Sequence, residues 1–343
     1  MIRSLLVLLL GLSAPASAAA PQPAKPLFAS DAPLALTIEA PLQRLIRDRG
    51  SREEIPGTLA DGAGNRLPIT LELRGITRRT SEVCDFPPLR VRFTTPPPAA
   101  SPFAGQRRLK LVTHCRKGRS GQEDVLLEYA AYRLFNRLSP TSLRARLGTI
   151  DYRGADGRPI IVRPGFFIED LDDLAARSGV PRLRAGPRIP TADLSPRDGA
   201  LYGLFQHMIA NHDWSMRAGP AGKDCCHNAE LIGSSGPGRS IPVPYDFDFS
   251  GFVGAPYAHP PEQLNLNSVK ERKYRGYCAH NGAVREVARS IRSQWPALMA
   301  ELDGIPGLDD RTRSNARSFL SGFYADIATD AAVESRIIRN CVG

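Results

Sequence analysis

The chain has 343 residues and a formal net charge of +10, carried almost wholly by arginine, since only Lys25, Lys110, Lys117, Lys223, Lys270 and Lys273 are lysines. The arginines are dispersed among acids, with no dense basic run interleaved with aromatics, so no nucleic acid is expected as a partner. The basic balance leaves an anionic envelope polymer as a possible partner.

At the N-terminus, Arg3, the apolar run from Leu5 to Leu10 and the small residues Ala16-Ser17-Ala18 read as a signal peptide over 1–20, cleaved near Ala18 or Ala20. The mature chain is therefore expected to be periplasmic or secreted. No later stretch is long and apolar enough to span a bilayer. Residues 21–33 are rich in Ala and Pro and read as a flexible linker. Six cysteines follow, at 84, 115, 225, 226, 278 and 341. An oxidising compartment and the lack of a Cys-x-x-Cys spacing favour disulfides over a zinc site. Cys84 and Cys115 flank neighbouring strand candidates and are expected to pair; Cys225 and Cys226 would then reach Cys278 and Cys341.

From residue 34 the pattern is β. Strands are expected at 34–38, 55–59, 67–73, 89–93 and 109–113, on alternations such as Leu67, Ile69, Leu71, Leu73 and Leu89, Val91, Phe93. A helix follows over 122–138, with Leu127, Ala131, Leu134 and Leu138 on one face. Two more strands, 145–152 and 160–168, flank the turn Gly154-Ala155-Asp156-Gly157. Beyond about 170 the chain reads as helical. Ser195, Pro196 and Asp198 start one helix, Val284 to Trp295 mark a second that Pro296 should kink or end, and Ala316 to Phe323 mark a third.

Two segments carry candidate chemistry. In Pro244-Tyr245-Asp246-Phe247-Asp248-Phe249, an extended backbone would put Asp246 and Asp248 on one side, and paired carboxylates suit a hard cation such as Mg²⁺. In Asn211-His212-Asp213-Trp214, Asp213 follows the end of a helix and is placed on a loop, where it can accept a hydroxyl proton. Asn228, after the cysteine pair, offers a neutral oxygen beside them. His207, His212 and His227 raise a different reading, a metal-dependent hydrolase. The run Gly233 to Gly238 has no Lys-Ser/Thr after it and reads as a hairpin tip rather than a phosphate loop.

The Gly165-Phe166-Phe167-Ile168-Glu169 strand, the Asn-His-Asp-Trp loop and Pro-Tyr-Asp-Phe-Asp, in that order over about 66–255, resemble the CotH-type kinase-like family of spore coat proteins. The resemblance implies an α+β, bilobal protein-kinase-like fold. Its N-lobe, 34–170, would be an antiparallel β-rich layer with one helix, and its C-lobe, 171–343, mainly helical. It further implies Asp213 as the catalytic residue, Asn228, Asp246 and Asp248 as ligands of Mg²⁺ or Mn²⁺, and Lys110, Glu128 and Glu169 as residues binding ATP or another nucleoside triphosphate. The implied activity is phosphoryl transfer to a hydroxyl of an envelope or secreted protein. A catalytically degenerate binding protein of the envelope is the alternative. Catalysis requires the acids to converge on one cleft; a binding role predicts one of them locked by an arginine.

Overall fold

The computed structural model describes residues 20–343. All but the last residue of the expected signal peptide lies outside them. The alternating strands form as their periodicity dictates: β1 (Leu34–Glu39), β2 (Ile55–Asp61), β3 (Arg66–Leu73), β4 (Leu89–Phe93), β5 (Arg108–Val112), β6 (Ala145–Arg153) and β7 (Pro159–Ile168). They do not make an antiparallel layer. The order β1-β2-β3-β4-β5-β7-β6 closes into a seven-stranded barrel, because β1 runs parallel to β6 with Leu34 opposite Gly148 and Glu39 opposite Arg153. This corrects the expected bilobal kinase-like fold. Closure pairs the outer strands and leaves no exposed edge. Inward side chains fill the lumen, among them Ile38, Leu59, Leu71, Val91, Leu111, Tyr152 and Phe167, as in other barrels too narrow for a channel.

The expected linker at 21–33 is also corrected. Leu27 and Phe28 are buried against the barrel, Lys25 pairs with Asp173 at 2.6 Å, and the Gln22 amide donates to the Ala176 carbonyl. Two buried apolar side chains contribute on the order of 3–6 kcal/mol, enough to hold a short segment down. A short helix, α1 (Leu42–Arg47), separates β1 from β2.

The helix α2 (Arg119–Leu138) leaves the barrel but packs with the C-terminal half, its Tyr132, Phe135 and Leu138 sharing a core with Phe205, Phe247 and Leu298. Gly121 lets it start so close to the strand exit: a Cβ there would meet the Arg116 carbonyl oxygen at 2.3 Å. After it come α3 (Leu171–Ser178), capped by Asp170, and α4 (Pro196–Met208), capped by Ser195. The strands β8 (Ala229–Gly233) and β9 (Ser240–Pro244) form the expected hairpin around the glycine run. Helices α5 (Asn281–Asp303) and α6 (Asp310–Ile327) close the core, and α5 continues through Pro296 rather than ending there.

Three disulfides tie the fold. Cys84–Cys115 joins the entry to β4 with the exit of β5, as expected, and Cys278–Cys341 anchors the C-terminus. Cys225 and Cys226 bond to each other instead of reaching Cys278 and Cys341. No helix among the described residues is long and apolar enough to cross a membrane.

Candidate functional site

A cleft of about 420 Å³ opens between the barrel and the hairpin, lined among others by Arg74, Arg78, Lys110, Asp213, His227 and Asp246. Its floor is an ion cluster. Glu128 comes from α2, a buried acid on a helix face otherwise apolar, while Asp246 and Asp248 come from the segment after β9. Each offers an oxygen within 4.8 Å of the other two, a spacing able to hold a metal ion. The alignment of the two aspartates does not come from an extended strand. β9 ends at Pro244, and Asp246 has φ +62°, in the left-handed region. That twist brings the Asp246 amide to the Tyr132 hydroxyl at 3.0 Å, while Phe247 sinks between Tyr132 and Phe205. Phe249, half-buried, lines the cleft.

The guanidinium of Arg78 lies among the three acids. Its Nη1 is 3.2 Å from Glu128, its Nη2 3.0 Å from Asp246 and its Nε 3.1 Å from Asp248. The Tyr257 hydroxyl donates to Asp248 as well, at 3.1 Å. Burial pushes the carboxyls of Glu128 and Asp248 upward, against the pull of Arg78. Burial also opposes the charge on Asp246, but Arg78, Arg74 and Lys110 hold it below the usual carboxylate range. One oxygen of Glu128, Oε1, is buried without a hydrogen-bond partner. A buried carboxylate oxygen left in this way costs about 1–3 kcal/mol, so the acid set has capacity for a cation beyond what Arg78 uses.

At the rim, Asp213 sits on the loop after α4, as expected from the sequence, where its amide donates to the Asn211 side chain. His227 Nε2 lies 2.6 Å from Asp213 Oδ1, and Asn228 Nδ2 donates to Asp213 Oδ2 at 3.0 Å and to its carbonyl at 2.7 Å. The hydrogen bond that its ring donates to Asp213 raises the His227 imidazole above its ordinary value despite partial burial. Asn228 is thus a positioning residue for Asp213. Glu128 joins Asp246 and Asp248 in the acid set, whereas the Asn228 amide nitrogen is committed to Asp213.

Lys110, on β5 between Arg90 and Ile168, extends its ammonium over the Tyr245 ring at 4.8 Å. Burial and the neighbouring Arg74 charge lower its pKa. Neither Lys110 nor Arg74 forms an ion pair with a carboxylate among the described residues, and Arg74 Nη1 is buried without a partner. Glu128 is therefore bound to Arg78 and not to Lys110.

No family model matches the chain, and neither does any curated protein. The site is read from its own chemistry.

Two sequence expectations fall away from the cleft. Glu169, expected at the nucleotide, is buried and held by Arg177 at 3.0 Å and by the Arg144 amide at 3.0 Å, a staple between β7, β6 and α3. The three histidines of the hydrolase reading have separate partners: His207 meets Asp326, His212 the Glu271 carbonyl and His227 Asp213. Sequence reasoning missed Arg78 and Arg74. The usable signal was indirect: buried carboxylates demand a resident counter-charge, but nothing in the spacing says which of the many arginines supplies it.

Proposed function

We propose that the cleft binds a phosphorylated ligand, such as ATP or another nucleoside triphosphate, and transfers a phosphoryl group to a hydroxyl of an envelope or secreted protein. The observation that supports this is the pair Arg74 and Lys110, two adjacent cations without carboxylate partners, set beside an acid cluster and an accessible carboxylate. Like charges held together in a partly buried wall are stabilised by an anion between them. A phosphate chain supplies one. Asp213, about one-third exposed, faces the same space and accepts the proton of the acceptor hydroxyl as its oxygen bonds to phosphorus and the bridging P–O bond breaks. The His227 partner orients Asp213, and positioning and charge neutralisation dominate this chemistry.

Mg²⁺ or Mn²⁺ held by Glu128, Asp246 and Asp248 would neutralise negative charge on the phosphates. The orphaned Glu128 oxygen and the mutual spacing of the three carboxylates fit such an ion. The resemblance of the Asp213 loop and the Asp246–Asp248 segment to the CotH-type family supports the same activity. The disulfides support a periplasmic or secreted protein.

Thermal shift of the mature protein with ATP and Mn²⁺ tests the reading. Stabilisation is expected, and it should vanish in Asp246→Asn and shrink in Lys110→Met. No shift with any nucleoside triphosphate and either metal overturns it. Arg78 favours a second reading, an envelope binding protein without catalysis, because the guanidinium locks the acids as a structural ion pair would. Nucleotide-dependent stabilisation with no label passing from γ-labelled ATP to envelope protein selects that one.

A further inference from the structure

Arg78 reaches the acid cluster from a strap between β3 and β4. Both ends of the strap are fixed. The Arg74 amide donates to the Pro88 carbonyl, and the Arg79 side chain donates to the Ser51 carbonyl at 2.9 Å, while Arg49 grips the carbonyls of Arg79 and Thr80. The middle is not fixed in this way. Gly75 has φ +87° with no heavy atom near the position of a Cβ, and Ile76 is 88% exposed at the cleft mouth. Within the strap, the Arg78 side chain is the part that enters the floor.

The positions of its nitrogens decide what else fits there. All three cluster acids contact the guanidinium through one oxygen each, so a divalent ion drawing on those oxygens competes with it. Arg78 alone forms ion pairs with the three acids, and one Glu128 oxygen is left without a hydrogen-bond partner for a second cation to use. Asp246 is 30% exposed on its cleft side, which gives an ion a path inward and the guanidinium a path out.

We propose that Arg78 is a built-in competitor for a divalent cation at Glu128, Asp246 and Asp248, released along the 74–79 strap to the cleft mouth when the ion binds. This rests on the phosphoryl-transfer reading above. Released, the guanidinium joins Arg74 and Lys110 in facing the phosphates. Metal and phosphorylated ligand therefore bind cooperatively, because each favours the strap position that the other needs, and the coupling is reciprocal. Without the ligand, Arg78 holds the cluster closed and metal affinity is low.

Binding of Mn²⁺ alone, followed by the loss of free-ion paramagnetic resonance signal, tests this in the wild type, Arg78→Lys and Arg78→Met. The expected result is affinity about tenfold tighter in Arg78→Met, within the ordinary range of such couplings, and intermediate in Arg78→Lys. Arg78→Lys keeps a positive charge and guards against misfolding of the methionine variant; circular dichroism reports the fold of each. Adding Asp248→Asn to Arg78→Lys should abolish the gain. Equal or weaker Mn²⁺ binding in folded Arg78→Lys, with measurable binding in the wild type, overturns the competition and leaves phosphoryl transfer standing. Absence of Mn²⁺ binding in all the variants overturns both.

Discussion

On the floor of the cleft Arg78 forms ion pairs with three carboxylates, whereas on its wall Arg74 and Lys110 form none among the described residues. The same cation type is thus used in opposite ways within one site. A buried charge surrounded by partners cannot be removed without stranding them, and so behaves as part of the fold. A cation left without a partner lowers stability unless a ligand supplies the missing charge, and so behaves as part of a binding surface. The contrast assigns the two arginines different work although they lie in one short segment.

The largest expected effect breaks the floor. Arg78→Met, in chelator and without ligand, should lose about 3–5 kcal/mol in urea unfolding, because three carboxylates are left without their counter-charge. A loss below about 1 kcal/mol would mean the acids are neutral and the floor is not an ion cluster.

A second variant asks whether any buried ionisable group in the molecule behaves like the floor. His114 is fully buried between Phe86 and Tyr152, with neither ring nitrogen hydrogen-bonded, and burial lowers its pKa to about 4. Its folded value lies below the unfolded one, near 6.5. The unfolded chain therefore takes up a proton first, and the contribution of His114 to stability is complete above about pH 6.5 and lost as pH falls towards 4. The expected loss is about 3 kcal/mol across that window. His114→Phe should remove this part of the acid sensitivity, measured as the difference between the two proteins' urea stability at pH 7.5 and pH 4. Parallel profiles would show that folding leaves the ring's titration unshifted.

The third tests the wall. Lys110→Met should change urea stability by no more than about 1 kcal/mol, since it removes a partly buried cation that has no partner. The same variant should weaken ATP binding by about tenfold, the weight of one charge-assisted contact. A large stability loss would place Lys110 with Arg78 as a structural charge. The smallest effect is a control on an open surface pair: Arg44→Ala, which breaks the 2.9 Å contact with Glu53, should cost about 0.5 kcal/mol in the same assay.

The strands were legible because their side chains alternate in residue type: Leu67 to Leu73 and Leu89 to Phe93 needed only the period of two. The start of α4 was legible from Ser195, Pro196 and Asp198. Asp213, Asp246 and Asp248 were singled out by their chemistry, whereas Lys110 and Glu128 were named through the family resemblance, Glu128 for the nucleotide and not for the acid cluster. Glu169 was named through the same resemblance, yet Arg177 neutralises it elsewhere. The vicinal pairing of Cys225 and Cys226 was not foreseen, since the spacing of cysteines leaves their partners open.

Local pattern alone, then, determined where the chain is extended, where it is helical and which polar residues are chemically equipped. Tertiary structure alone decided that β1 lies parallel to β6 and closes a barrel, because that pairing joins segments more than a hundred residues apart and leaves no mark on either. It likewise decided that Arg78, among so many arginines, sits inside the acid cluster. Counter-charges are chosen by proximity in the folded chain, and proximity between distant segments is not written in the residues that flank them.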